Sequence, residues 1–213
     1  MKYVKMLGLA AVAAAALMAF VGASTASATV LCKTPGTGSP TGTTCPEGWA
    51  YGANTTIHAV ATGPTILEDE GKAFTVECKK STLHATTTNE GNATETPVAH
   101  VLSLLFEECD SEVKVLANGS LEVHWIEGTH NGTLTSTGAE VTITKSTIFG
   151  KVHCIFKTNN TSVGDITGGN PAIFHSTAKI PKLTTSALCP EPAIWTATYE
   201  ITEPTPLYVT GHT

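Results

Sequence analysis

The 213-residue chain contains no arginine and no glutamine, and all 12 of its basic residues are lysines, set against 18 acidic residues. Without guanidinium forks to grip phosphates and base edges, an acidic chain of this kind is not expected to bind nucleic acid. It has no basic amphipathic stretch that would hold it on an anionic membrane surface. The common catalytic signatures are also missing. There is no G-x-S-x-G elbow for a hydrolase serine. There is no H-E-x-x-H pair for zinc and no C-x-x-C to seed a thiolate metal site. After residue 28 no segment keeps an i, i+3, i+4 apolar rhythm for three turns, so no helix is expected there. These absences assign no catalytic residue, no cofactor and no metal ligand.

What the chain does have begins at its start. Lys2 and Lys5 precede an apolar run from Met6 to Val21, followed by small residues ending in Ala26-Ser27-Ala28. A charged start, an apolar middle and an A-x-A end are the parts of a secretory signal peptide, cleaved here after Ala28. The apolar run is shorter than the roughly 20 residues a membrane-spanning helix needs, so no span is expected after cleavage. The expected location is therefore secreted. The mature chain, Thr29 to Thr213, keeps ten lysines against the 18 acidic residues, a net charge of −8. Its length suits one domain with a real hydrophobic core.

The six cysteines, Cys32, Cys45, Cys78, Cys109, Cys154 and Cys189, all follow the cleavage site. An even number in an exported chain reads as three disulfides, for which 15 pairings exist. Threonine is the commonest residue, with 37 copies, and β-branched side chains fit a pleated surface better than a helix.

Residues 29–52 read as a leader, because Thr34 to Gly42 is rich in Pro and Gly and is bracketed by Cys32 and Cys45. Residues 53–213 read as the folded body. Short apolar or alternating runs there predict strands at 56–61, 72–78, 81–88, 98–108, 112–117, 120–127, 133–136, 140–145, 151–157, 162–167, 172–180, 193–202 and 207–209. Asn118-Gly119 between two such runs predicts a tight hairpin, with residues 113–117 and 120–125 adjacent and antiparallel. Val98 to Phe106, apolar on both parities, predicts a strand covered on both faces. Short strands at this spacing argue for a β-sandwich or a barrel, and the predicted fold is all-β, an antiparallel β-sandwich.

An internal echo runs from Cys78 to Cys109, 31 positions apart, and from Cys154 to Cys189, 35 positions apart, each pair enclosing Thr- and Gly-containing sequence and an apolar strand. Chance likeness among Thr-rich strands explains it equally well. Taken as real, it implies two pseudo-repeated halves with equivalent bridges and leaves Cys32 to pair with Cys45.

The signal from Met6 to Ala13, the Ser27 to Cys32 junction, the Thr167 to Ala172 turn and the closing stretches around Cys189-Pro190, Trp195 to Tyr199 and Pro204 to Val209 carry a resemblance. Together they resemble a group of secreted, Thr- and Gly-rich, six-cysteine actinobacterial proteins without an assigned activity. The resemblance implies export, paired cysteines and a β fold, and it transfers no catalytic residue.

The remaining chemistry is sparse. Eight histidines are spread along the strands, but no two lie two apart on one strand, the usual seed of a metal site. The acidic runs Glu68 to Glu70 and Glu107 to Glu112 lack calcium-loop spacing and read as solvated turns. Trp125 and Trp195 fall on apolar strand faces and read as core, which leaves Trp49 and Tyr51 as the candidate ligand platform. The function expected from these residues is that of a secreted, non-catalytic β-sandwich protein with a binding or envelope-associated role. Its ligand is extracellular or in the cell envelope. The alternative is a carbohydrate-binding, lectin-like module whose ligand is a glycan. A third reading is an extracellular hydrolase on the same scaffold, which would require His or carboxylate groups converging in one pocket.

Overall fold

The structure, a computed structural model, describes residues 29–37, 44–148 and 150–212. The expected signal peptide, residues 1–28, lies outside them. Fourteen strands follow in chain order: β1 (Thr29–Cys32), β2 (Thr56–Ala61), β3 (Thr65–Glu68), β4 (Thr75–Thr87), β5 (Val98–Cys109), β6 (Glu112–Ala117), β7 (Ser120–Trp125), β8 (Gly132–Thr137), β9 (Glu140–Thr147), β10 (Gly150–Lys157), β11 (Thr161–Thr167), β12 (Ala172–Ile180), β13 (Ala193–Glu203) and β14 (Tyr208–Gly211). There is no helix among the described residues, as the missing 3.6-residue rhythm implies.

The all-β expectation holds, but the sandwich is corrected to a closed barrel. Eight antiparallel strands pair in the ring β12-β11-β8-β7-β5-β4-β2-β13, and β13 returns to β12 over the register Ala172↔Ile201 to Ile180↔Ala193. Alternation was readable in the sequence; ring closure, a pairing between distant strands, was not. β12 shows the pattern plainly. Ala172, Phe174, Ser176, Ala178 and Ile180 point inward and are buried, while His175, Thr177 and Lys179 are exposed. Polar residues outside and apolar residues inside are the reverse of a barrel that faces lipid.

β2 and β3 run in the same direction between β4 and β13, one strand interrupted at residues 62–64. β4 is continuous where the sequence suggested two strands. Its burial alternation changes phase at the exposed pair Lys79-Lys80, and that phase change reads as a break.

The predicted hairpin at Asn118-Gly119 is corrected. β6 pairs with β9 and β7 pairs with β8, and the register passes from Ala117↔Glu140 to Ser120↔Thr137 almost without a step. β6 and β7 are thus one long strand with a bend, alongside an equally bent β8–β9. A type I′ hairpin needs positive φ at both central residues, whereas Gly119 alone of the pair has it, at 72°. A Cβ on Gly119 would sit 2.4 Å from the Ala139 amide nitrogen, so glycine lets the two bends nest. β10–β11 continues the same way, from Lys157↔Glu140 to Thr161↔Ser136. Three barrel strands therefore run past one end of the barrel and curl over it as a three-stranded lid, β10-β9-β6.

The other end is filled by the β1–β14 ribbon, where Val30, Leu31 and Val209 are almost wholly buried. The start of the expected leader is thus a strand of the core, hydrogen-bonded to the C-terminal strand. The wall strand β5 is not covered on both faces as expected: Leu102 and Leu105 on its outer side are 59% and 50% exposed.

All six cysteines are paired, Cys32–Cys45, Cys78–Cys109 and Cys154–Cys189, as the echo suggested. The equivalence behind that echo does not hold. Cys78–Cys109 links directly opposed residues of neighbouring wall strands, whereas Cys154–Cys189 fastens the lid strand β10 to the loop before β13.

Candidate functional site: an apolar cavity under the lid

Eight strands make a barrel just wide enough for side chains to fill or for one small ligand to occupy. Many inward positions here carry small residues, among them Ala59, Ala85, Ala99, Ala178, Ala197 and Ser176, each buried. Those small residues lie away from the open space between the barrel and the lid, a cavity of about 100 Å³ walled mainly by larger side chains. A single water needs about 10–15 Å³ by the same measure, so the cavity is several times larger than that.

The barrel contributes Leu83, Leu104, Phe106, Leu121, Phe174 and Trp195 to the walls. The lid contributes Val113, Val141, Ile143 and Phe156, brought together by the registers Val113↔Ile143 and Phe156↔Val141. Among the described residues no His, Asp, Glu or Lys side chain lines it. Of its few polar residues, Ser136 and Thr158 share a 3.0 Å hydroxyl pair and the Asn118 side chain donates to the Leu102 carbonyl. Water in such a cavity would forgo hydrogen bonds. Left empty, it would cost about 2 kcal/mol at the usual price per unit of void volume.

The wall residues Phe174 and Trp195 pack with Tyr199 as an aromatic trio, with ring centroids 5.9 Å apart for Phe174–Tyr199, 6.4 Å for Phe174–Trp195 and 6.2 Å for Trp195–Tyr199. The Tyr199 hydroxyl lies 2.7 Å from the Ser81 Oγ, which in turn donates to the Leu105 carbonyl. Burial pushes the Tyr199 phenol up to about 12, an effect the Ser81 hydrogen bond partly offsets. The Trp195 Nε1 is buried without a hydrogen-bond partner. Trp195, read from the sequence as core, is also a wall residue of the cavity.

The platform residues named from the sequence part company. Trp49 is 52% exposed. Tyr51 is half-buried, its hydroxyl donates to the Pro206 carbonyl at 2.7 Å, and the Lys33 ammonium stands 5.4 Å from its ring centroid. Burial raises the Tyr51 phenol above its ordinary value. Trp49 alone among the described aromatics is left strongly exposed, and it lies away from the cavity lining.

The histidines do not converge. Among the described residues no three His, Cys, Asp or Glu side chains are placed to hold a metal ion. His58 and His84 stack at 4.1 Å on the outer wall, with the Thr202 hydroxyl 2.8 Å from the His58 Nδ1. His153 pairs with Thr144 on the outer face of the lid. The acidic run at Glu68 to Glu70 is a turn closed by Asp69, whose carboxylate accepts from the Phe74 and Gly71 amides. The Phe74 amide is the larger cause that holds the Asp69 carboxyl below its ordinary value. Glu108 is ion-paired with Lys80.

No local pattern in the sequence points to the cavity, which exists only once the ring closes and three wall strands bend over its end. Among the described residues no helix is long and apolar enough to cross a membrane. Compared with known proteins, the chain matches no protein-family model, no curated protein and no solved structure.

Proposed function

We propose that this is an exported, non-catalytic binding protein that holds a small apolar ligand in the cavity between barrel and lid. The observation that carries the reading is a cavity of about 100 Å³ walled almost wholly by aliphatic and aromatic side chains. A ligand there would recover dispersion contacts that an empty void forfeits. Among the described residues the lining holds no His, Asp, Glu or Lys side chain to act as general acid or base, which supports binding over hydrolysis. Three disulfides suit an oxidising, extracellular setting, in keeping with the signal-like start of the chain.

The test is a titration of the oxidised protein with N-phenyl-1-naphthylamine, an uncharged dye that brightens in apolar surroundings. Saturable one-to-one binding is expected, and it should be lost in Val141→Phe, where the new ring fills the cavity from the lid. No binding by the wild type, or equal binding by the filled variant, contradicts the reading. The glycan-binding alternative rests on Trp49 alone. It is favoured instead if a glycan array lights up with the wild type and goes dark with Trp49→Ala.

A further inference from the structure

The barrel wall is not bonded throughout. β5 and β6 are joined by a tight turn at Asp110-Ser111 and run antiparallel, as the two arms of a hairpin should. Yet the ladder on that side of β5 holds only at its far end, from Val98↔Glu122 to His100↔Ser120. It is extended there by the Val101 amide donating to the Gly119 carbonyl and the Asn118 side chain donating to the Leu102 carbonyl. From Ser103 to Glu108 on one arm and along β6 on the other, no ladder bond joins the two strands. The hairpin is unzipped at its turn, because β6 leans over the barrel end to pair with β9.

The lid is held very differently along its opposite edge. β10 is tied to the chain after β12 by the Lys157 amide to the Pro181 carbonyl and the Leu183 amide to the Ile155 carbonyl, and by the Cys154–Cys189 disulfide. The seam between β5 and β6 is thus the free side of the lid, and it opens directly over the cavity. Leu104 and Phe106 on β5 and Val113 on β6 line the cavity from the two sides of the seam. On the outer side of the same strands stand Leu102, Leu105 and Leu116, 59%, 50% and 50% exposed. Leu105 and Leu116 lie opposite one another within a residue of the hairpin register. Open strand edges with exposed leucines are a liability that proteins usually blunt with charge or cover, and here they rim an apolar cavity.

We infer that the β5–β6 seam is the entrance to the cavity and that the ligand is a single-chain amphiphile, which enters tail first and leaves its polar head at the leucine rim. This rests on the cavity being a ligand site, as proposed above. The chemistry of the two zones sets the class. Among the described residues the cavity offers no charged side chain and only a few polar atoms on an otherwise apolar wall, while the seam opens to water and to the free backbone groups of two strand edges. A compact polar solute fits neither zone, and an apolar tail carrying one head group fits both.

The experiment is stopped-flow fluorescence of the full oxidised protein with N-phenyl-1-naphthylamine, followed by its displacement with straight-chain alcohols from hexanol to decanol. In the wild type, affinity should rise about fourfold per added methylene, the equivalent of ~0.8 kcal/mol each, until the tail fills the cavity. Replacing the exposed rim with Leu105→Glu and Leu116→Glu should slow both association and dissociation at least fivefold. A second variant, Leu105→Cys with Leu116→Cys, bridged by a short bismaleimide after purification, should slow exchange further. Wild-type exchange rates in both variants overturn the entrance. Alcohol affinities that do not change with length overturn the ligand class. Either result leaves the cavity site standing, whereas a wild type that binds no probe overturns the site and the entrance together.

Discussion

At one end of the barrel the β1–β14 ribbon is fitted so closely that Val30, Leu31 and Val209 are 1%, 2% and 0% exposed, and a Cβ on Gly211 would sit 2.9 Å from the Trp125 ring. At the other end the lid faces the barrel with Val113, Val141 and Ile143 across a void. Both ends use the same residue types, and both are stapled, by Cys32–Cys45 and by Cys154–Cys189. They differ in geometry. The plug is a separate ribbon laid into the barrel mouth, free to settle until its side chains interlock. The lid is the bent continuation of three wall strands, so its height over the barrel is set by the bends at residues 118–119, 138–139 and 158–160. A close-packed interior normally tolerates few voids. A void preserved by the backbone itself, beside an unbonded seam, is what a binding site requires.

Removing the staples should separate the two ends most strongly. The Cys154→Ser, Cys189→Ser protein should lose about 4 kcal/mol of stability and the Cys32→Ser, Cys45→Ser protein about 3 kcal/mol, from the loops they close. Urea unfolding measures both. Loss of the lid staple should also abolish dye binding, which loss of the plug staple should spare.

Equal truncations come next. Leu31→Ala in the plug should cost about 3 kcal/mol, whereas Leu104→Ala, beside space that already exists, should cost about 1 kcal/mol. If the two costs are equal, the packing contrast is wrong.

The well-packed middle of the barrel has a signature in alkali. Tyr199 is neutral in the folded protein up to about pH 12, while an unfolded tyrosine ionises near 10. Its contribution is fully present below the unfolded value and is lost as pH rises through the folded one. Stability should therefore fall by about 2–3 kcal/mol between roughly pH 10 and 12. Tyr199→Phe should flatten that fall, as read by urea midpoints across the range.

The smallest effect sharpens the contrast from the opposite side. Val209→Ile should destabilise the plug by about 1–2 kcal/mol through overpacking. Val141→Ile in the lid should be neutral or stabilising by up to about 1 kcal/mol, because its added methyl enters empty space.

Local features were legible in the sequence and closure was not. The boundaries of β6 and β12 followed from their apolar patterns and flanking turns, and both match the structure residue for residue. β1 and β3 escaped notice because four residues are too few to show an alternation, and β1 adjoins the Pro- and Gly-rich leader. Asn118-Gly119 misled because a glycine with positive φ serves a strand bend as well as a hairpin, and only the Thr137 to Glu140 partner decides which. Val98 to Phe106 misled for a related reason. Apolar residues on both faces signalled one face for the interior and one for the leucine rim, and a local pattern cannot tell a rim from a second packed layer. The cysteine pairing came out right although the halves that suggested it are not equivalent, since nearest-neighbour pairing also suits a chain of consecutive hairpins.

The most direct test of the binding site is the melting temperature of the oxidised protein against increasing octanol, set beside that of Val141→Phe. Ligand that binds only the folded state raises its stability with concentration. The wild type should melt progressively higher at low octanol concentrations, and the filled variant should not respond to them. If neither protein responds, or both respond alike, the cavity is not a binding site.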